Sequence, residues 1–265
     1  MLNLAEYRKT TTGLADYLPW ACLVAPGIVL NKDGSFQRTI RYRGPDLDSA
    51  TDAELVAVSA RLNNVLRRFG EGWALFFEAE RVPANQYPGH RFADAASWLV
   101  DQERYAFFSA DGAHHESRYY LTLLYLPPPE HQGRVERLLY ERQEGYSDES
   151  DVWGQLAWFG TETTRALELL ASILPEAEAL DDAGTLAYLH GTISDKRHPV
   201  AVPTVPTHLD AILCDTPFLG GVEPKLGRQH LRLLTVTGFP NTTTPGLLDA
   251  LNDLGFAYRW TTRWI

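Results

Sequence analysis

Apolar residues recur along the chain with two periods, and together these predict most of its elements. In "LVAPGIVLNKDGSFQRTIRYRG" two apolar or alternating runs flank Asn31, Lys32, Asp33 and Gly34, a turn-forming cluster, which predicts a β-hairpin. In its second arm Phe36, Ile40 and Tyr42 share a face with Arg38, while Gln37, Thr39, Arg41 and Arg43 point the other way. The period then changes to 3.6. In "TDAELVAVSARLNNVLRRFG" Leu55, Val58, Leu62, Val65 and Leu66 form a helical stripe, Thr51 with Glu54 fits a capping box, and Gly70 can end the helix.

"GWALFFEAERV" returns as a strand, "FADAASWLVDQERYAFFSA" as a helix, and "SRYYLTLLYLP" as a strand stopped by the prolines at 127 to 129. Residues 131–141 and 151–174 read as helices separated by "EGYSDES", with Pro175 closing the second, and "DDAGTLAYLHGTIS" reads as a short helix. After a proline-punctuated connection come the strand "QHLRLLTVTGF", the helix "TTPGLLDALNDLG" and a closing strand, "GFAYRWTTRWI". That helix has Thr244 at its cap, Pro245 in its first turn, Leu247, Leu248, Leu251 and Leu254 on one face, and Gly255 just after. Alternation suggests strands with one covered and one exposed face. The fold class expected is therefore α+β, an antiparallel or mixed sheet with helices packed on it. A ββαβ opening and a βαβ close suggest two halves, about residues 1–130 and 131–265.

At 265 residues, 45% hydrophobic and 22% charged, the chain has ordinary globular usage and can bury a sizeable core. The N-terminus has no apolar stretch behind a basic start, and no run approaches the roughly 20 apolar residues of a membrane span, so the expected location is cytoplasmic. Cys22 and Cys214 lack metal spacing and read as reduced core thiols. The net charge of -10 is unevenly placed. Residues 141–186 carry eleven acids against two arginines, which reads as a solvated face, while residues 1–43 carry six cations against three acids. An acidic whole argues against a dedicated nucleic-acid binder, although arginines beside aromatic residues in the hairpin and the closing strand keep contact with DNA as the alternative.

No catalytic constellation emerges. In "GGVEPKLGRQ" the spacing from Gly221 to Gly227 is one residue too long for a phosphate-binding loop, and Arg228 and Gln229 stand where Lys and a hydroxyl are needed. His114, His115 and Glu116 lack the spacing that puts two imidazoles on one helix face. His190 and His198 could converge with His208 and Asp210, but no third ligand stands at a diagnostic spacing. Glu78 and Glu80 share a strand face and read as a solvated edge. Neither catalysis, cofactor nor metal is expected of these residues.

Long blocks give the chain a family likeness. From "MLNLAEYR" through "LADYLPWACLVAPGIVLNKDGSFQRTIRYRGPDLDSAT", "ELVAVSARLNNVLRRFGEGWALFFEAER", "YYLTLLYLPP", "LDDAGTLAYLHGTIS" and "HLDAILCDTPFLGG" to the closing strand, it resembles the N-terminal region of the TrbE family, the conjugative type IV secretion ATPases also grouped as CagE/TrbE/VirB proteins. The resemblance implies that a RecA-like motor, which would bind ATP and Mg, lies beyond the closing strand, and that the present residues are a non-motor domain without enzymatic activity of its own. It implies a place at the cytoplasmic face of the bacterial inner membrane, docked on a small inner-membrane subunit and other secretion components, with further copies of the ATPase alongside. The surfaces expected to make those contacts are Tyr17, Leu18 and Trp20 near the N-terminus and Arg38, Arg41 and Arg43 on the hairpin arm.

Overall fold

The computed structural model describes residues 13–45, 49–84, 87–89, 91–110, 114–128, 149–238, 241–244 and 246–264. The helix expected over 131–141 lies outside them. Its centre is a seven-stranded sheet whose pairings are all antiparallel, which confirms the α+β class. In chain order the sheet strands are β1 (Trp20–Ala25), β2 (Ile28–Asn31), β3 (Phe36–Arg43), β4 (Trp73–Pro83), β5 (His115–Tyr125), β6 (Glu176–Ala179) and a last strand, Tyr258–Trp264. They lie in the order β1, β2, β3, β5, β4, last strand, and β6 shares the β2 edge of β3. Strands from both expected halves of the chain thus build one sheet.

The predicted hairpin forms between β2 and β3. Its turn is closed by an Asx contact, Ser35 N donating to Asp33 Oδ1 at 3.0 Å, and by Asn31 Nδ2 donating to Ser35 Oγ at 2.9 Å. A second hairpin lies inside what reads from sequence as one arm. Pro26 and Gly27 turn the chain between β1 and β2, with Gly27 at φ 67°. A Cβ at Gly27 would sit 2.2 Å from the carbonyl oxygen of Leu180, so glycine is required both for its conformation and for that approach.

Helices cover both faces. Below the sheet lie α2 (Asp52–Leu66) and α4 (Glu149–Ala171), following a one-turn helix α1 (Leu14–Tyr17) and preceding α5 (Asp182–Ile193) and α6 (Leu209–Leu213); α3 is Ala95–Phe108. The predicted capping box holds α2, with Glu54 N donating to Thr51 Oγ1 at 3.3 Å and Thr51 N to Glu54 Oε2 at 2.8 Å. On α4, Val152, Leu156, Phe159, Thr163, Ala166 and Leu170 are buried, spaced alternately by four and three residues. They meet Phe36, Ile40, Trp73, Leu75, Leu121 and Leu123 in the main core, where the Trp73 and Phe159 rings stack at 5.6 Å. On the other face Leu18, Trp20 and Val29 pack with Leu186 and Leu189 of α5 and Leu209 and Leu213 of α6.

Two predicted elements differ. The expected strand over 229–239 is paired only at β9 (Gln229–His230), in a small sheet with β7 (Phe218–Leu219) and β8 (Lys225–Leu226); residues 231–238 join no ladder. β-Propensity expresses packing against neighbouring strands, and none is offered here. The expected helix over 244–255 is a short 3₁₀ turn, Asp249–Asp253, because Gly246 adopts φ 82° and breaks the helical run at its start. The last strand, hereafter β10, forms as predicted.

Replacing Gly27 by alanine should lower stability by about 2 kcal/mol or more, since a left-handed non-glycine residue costs roughly 1–3 kcal/mol before the clash with Leu180 is counted. Urea unfolding checks this. A loss under about 0.5 kcal/mol would show that the turn readily rearranges.

Candidate functional site

The six residues singled out from sequence take different places. Leu18 and Trp20 are buried in the second core, whereas Tyr17 is exposed. Arg38 reaches α4, where its Nη1 donates to Thr163 Oγ1 at 3.0 Å and Thr164 Oγ1 at 2.9 Å; burial draws its pKa down. Arg41 pairs with Glu178, and Arg43 with Glu176 at 3.1 Å, both on β6. The basic arm is therefore matched by acids of the region that reads as a solvated face. Acids of that region also act elsewhere: Asp181 Oδ1 caps α5 through Gly184 N at 2.7 Å, and Asp182 Oδ1 accepts from Gly27 N at 2.7 Å.

Glu78 and Glu80 are not a solvated edge, being only 7% and 6% exposed. They lie on the face of β4 that points toward α5. Glu80 Oε1 accepts from Arg259 Nη2 of β10 at 2.7 Å and from Arg197 Nη2 at 2.9 Å. Glu78 is less well matched. Its Oε1 lies 3.4 Å from Arg259 Nε without an aligned hydrogen bond, and Thr261 Oγ1 donates to Oε2 at 3.5 Å. Burial therefore raises the Glu78 pKa despite the opposing Arg259 charge. Burial first, and then the Glu78 charge, push the nearby Tyr188 phenol up to about 12. This is a structural joint that fastens β10 and the segment after α5 to β4.

A second polar cluster sits at the end of α5. Asp215, just after α6, accepts from Thr216 Oγ1 at 2.8 Å, Ser194 Oγ at 2.9 Å and Lys196 Nζ at 3.1 Å. Desolvation would raise its pKa, but those hydrogen bonds outweigh it and hold the carboxylate well below its usual range. His190 Nε2 and His198 Nε2 face its two oxygens. Of His190, His198 and His208, the first two converge; His208 stands at the N-cap position of α6 without a side-chain cap hydrogen bond, and Asp210 pairs with Lys32 at 2.7 Å. His114 instead stacks on Phe108 at 4.7 Å.

The largest departure from ordinary surface chemistry is α3. Asp94 caps it through Ser97 N at 2.8 Å, and Tyr87 ties it down by a 2.6 Å hydrogen bond to Asp101 and by ring contacts with Tyr105 and Phe108. None of its residues is buried. Trp98, Leu99, Val100, Tyr105 and Phe107 are all exposed, Phe107 at 71%. At 100° per residue Trp98 and Tyr105 lie on one side and Val100 and Phe107 on the opposite one, interleaved with Asp101, Gln102, Glu103 and Arg104. Exposed apolar side chains clustered with a polar rim mark interaction surfaces. The helix is legible in the sequence but its exposure is not, because the same pattern equally describes a core helix. Among the described residues no helix is long and apolar enough to cross a membrane.

Comparison with known proteins sets this geometry in a family. Residues 27–133, which include α3, match the family model for the type IV secretion system ATPase VirB4/TrbE, N-terminal domain. The conjugal transfer protein TrbE of Rhizobium radiobacter is 30% identical over an alignment of 285 positions, which takes in 100% of this chain and 34% of that protein. A shorter probable conjugal transfer protein TrbE of Sinorhizobium fredii is 41% identical over 130 residues, 48% of this chain and 87% of that protein. The type IV secretion system protein virB4 of Brucella abortus is 24% identical over 274 residues, 96% of this chain and 32% of that protein. The chain thus spans about a third of the length of the full-size relatives.

The two buried carboxylates should respond oppositely to neutralisation. Because the folded pKa of Glu78 is raised, the folded state holds its proton at pH values where the unfolded chain has lost it, so wild-type stability falls relative to Glu78→Gln as pH rises above the usual carboxylate range. At pH 7 Glu78→Gln should be neutral or mildly stabilising. Glu80→Gln, which strips Arg197 and Arg259 of their shared partner, should cost about 2–3 kcal/mol. Urea melts of both variants at pH 5 and 7 check the pair; equal losses at pH 7 would contradict the assignment.

Proposed function

The chain belongs to the VirB4/TrbE family of type IV secretion ATPases, and from that membership we propose that it is the docking and assembly domain of a conjugative secretion ATPase. In this reading it links an ATP-driven motor elsewhere in the full-length protein to a small inner-membrane subunit of the channel, for DNA transfer or pilus assembly. It does so at the cytoplasmic face of the membrane, beside other copies of the ATPase. The domain itself contributes binding and not turnover.

The observation that supports this best is α3. A capped helix that exposes Trp98, Leu99, Val100, Tyr105 and Phe107 suits an apolar segment of a partner, and it lies inside the region that the family model matches. Of the residues first expected at the interface, Leu18 and Trp20 serve the protein's own core, so Trp98 and Phe107 are the stronger anchors. The alternative of a nucleic-acid contact has less support, because Arg41 and Arg43 already have carboxylate partners on β6.

Burying a large apolar side chain is worth about 1.5–3 kcal/mol. Replacing Trp98 and Phe107 together by glutamate in the full-length protein should therefore reduce co-purification of the small inner-membrane subunit by at least roughly tenfold, with the thermal melt little changed because neither side chain is buried. Undiminished capture would sink the assignment of α3 as the docking helix.

A further inference from the structure

We propose that His190, His198 and Asp215 bind one divalent transition-metal ion, with Zn2+ favoured by the two imidazoles. Their donor atoms, one from each residue, all lie within 4.8 Å of one another. Asp215 Oδ1 is 3.1 Å from His190 Nε2, and Oδ2 is 3.3 Å from His198 Nε2. In a tetrahedral zinc site with bonds of about 2.0–2.1 Å, neighbouring donor atoms stand roughly 3.3 Å apart. Each histidine–carboxylate separation matches such an edge, though to a different oxygen of Asp215, and the whole donor set closes within 4.8 Å.

The contact between His198 and Asp215 needs either a proton or a metal ion at its centre. His198 Nδ1 lies 3.1 Å from the carbonyl oxygen of Pro199, which can only accept, so Nδ1 carries the proton. In the neutral ring, Nε2 then presents a lone pair to the carboxylate oxygen of Asp215. Two acceptors at 3.3 Å repel unless a proton or a metal ion lies between them. His190 approaches the same carboxylate from the interior. It is 1% exposed, and its Nε2 makes no aligned hydrogen bond even though Asp215 is within reach. Imidazole orders first-row metals with copper and zinc near the top, and carboxylate with two imidazoles is a donor set that zinc accepts.

The surrounding groups fit the role. Ser194 and Thr216 hydroxyls both donate to Asp215 Oδ1, at 2.9 and 2.8 Å, and fix the carboxylate plane as outer partners of metal ligands do. His198 and Asp215 are on the solvent side, which gives an ion an entry path and room for a water as fourth ligand. Lys196 is the competitor. Its ammonium lies 3.1 Å from Asp215 Oδ2 on a half-exposed, flexible stem and must swing aside when the ion binds.

The test is titration of the chelator-stripped full chain with Zn2+ against a chromophoric chelator, with the visible spectrum of Co2+ reporting coordination. One ion per chain is expected. His198→Ala, at an exposed position that leaves the core intact, should weaken binding by at least about tenfold, as should Asp215→Asn. Lys196→Ala should tighten it, which a site formed by scattered histidines would not do. His208→Ala should leave it unchanged. Absence of 1:1 binding, in which case a shared proton bridges the cluster, or binding that survives His198→Ala, overturns the proposal.

Discussion

Strand β3 is paired along both edges and covered on both faces over Phe36 to Ile40, and that constraint fixes much of what surrounds it. Its first half is bound by β2 and its second by β6 on one side, with β5 along the whole of the other. Phe36 and Ile40 then have nowhere to go but the core beneath α4, while Thr39 turns up to share a 2.9 Å hydrogen bond with Thr122 of β5. A one-residue slip would exchange these faces and place Arg41 in the apolar core. The exposed pairs of Arg41 and Arg43 with β6 are worth little in stability but favour that register, since only one alignment sets both arginines opposite glutamates.

Much of this was legible because the signals were local. The Asn31 to Gly34 turn, the Thr51 cap and the stripe of α2 each depend on residues within a few positions, and each forms as the pattern requires. Elements that depend on distant partners were not legible. Strand β6 reads "EAEA", two good helix formers alternating, and becomes a strand only because β3 offers it an edge. The reverse happens after β9. "LRLLTVT" has strand propensity, yet without a neighbouring ladder it stays irregular, with Leu234 84% exposed. The Pro26 and Gly27 turn was hidden within an apolar run, although the dipeptide is itself a turn signal.

The site residues divide along the same line. Two histidines near the end of α5 could be picked out together, but their carboxylate partner lies 17 residues beyond His198 and is delivered by α6. His208 and Asp210, nearer in sequence, are directed elsewhere by that helix. Burial was equally invisible for Glu78 and Glu80, whose period-two spacing is that of any amphipathic edge until β10 and α5 cover it.

The segment after α5 joins the two polar clusters. His198 faces Asp215, and the adjacent Arg197 reaches Glu80, which also holds Arg259 of β10. Arg197 further donates to the carbonyl of Ser194, the residue whose hydroxyl orients Asp215. A group that immobilises His198 therefore restrains Arg197 through one peptide link, and Arg197 in turn restrains one of the two guanidinium contacts on Glu80. The other contact belongs to β10, the strand that closes the sheet beyond β4. The His190 cluster and the attachment of β10 thus meet at one carboxylate, Glu80, on which the contacts from Arg197 and Arg259 both end.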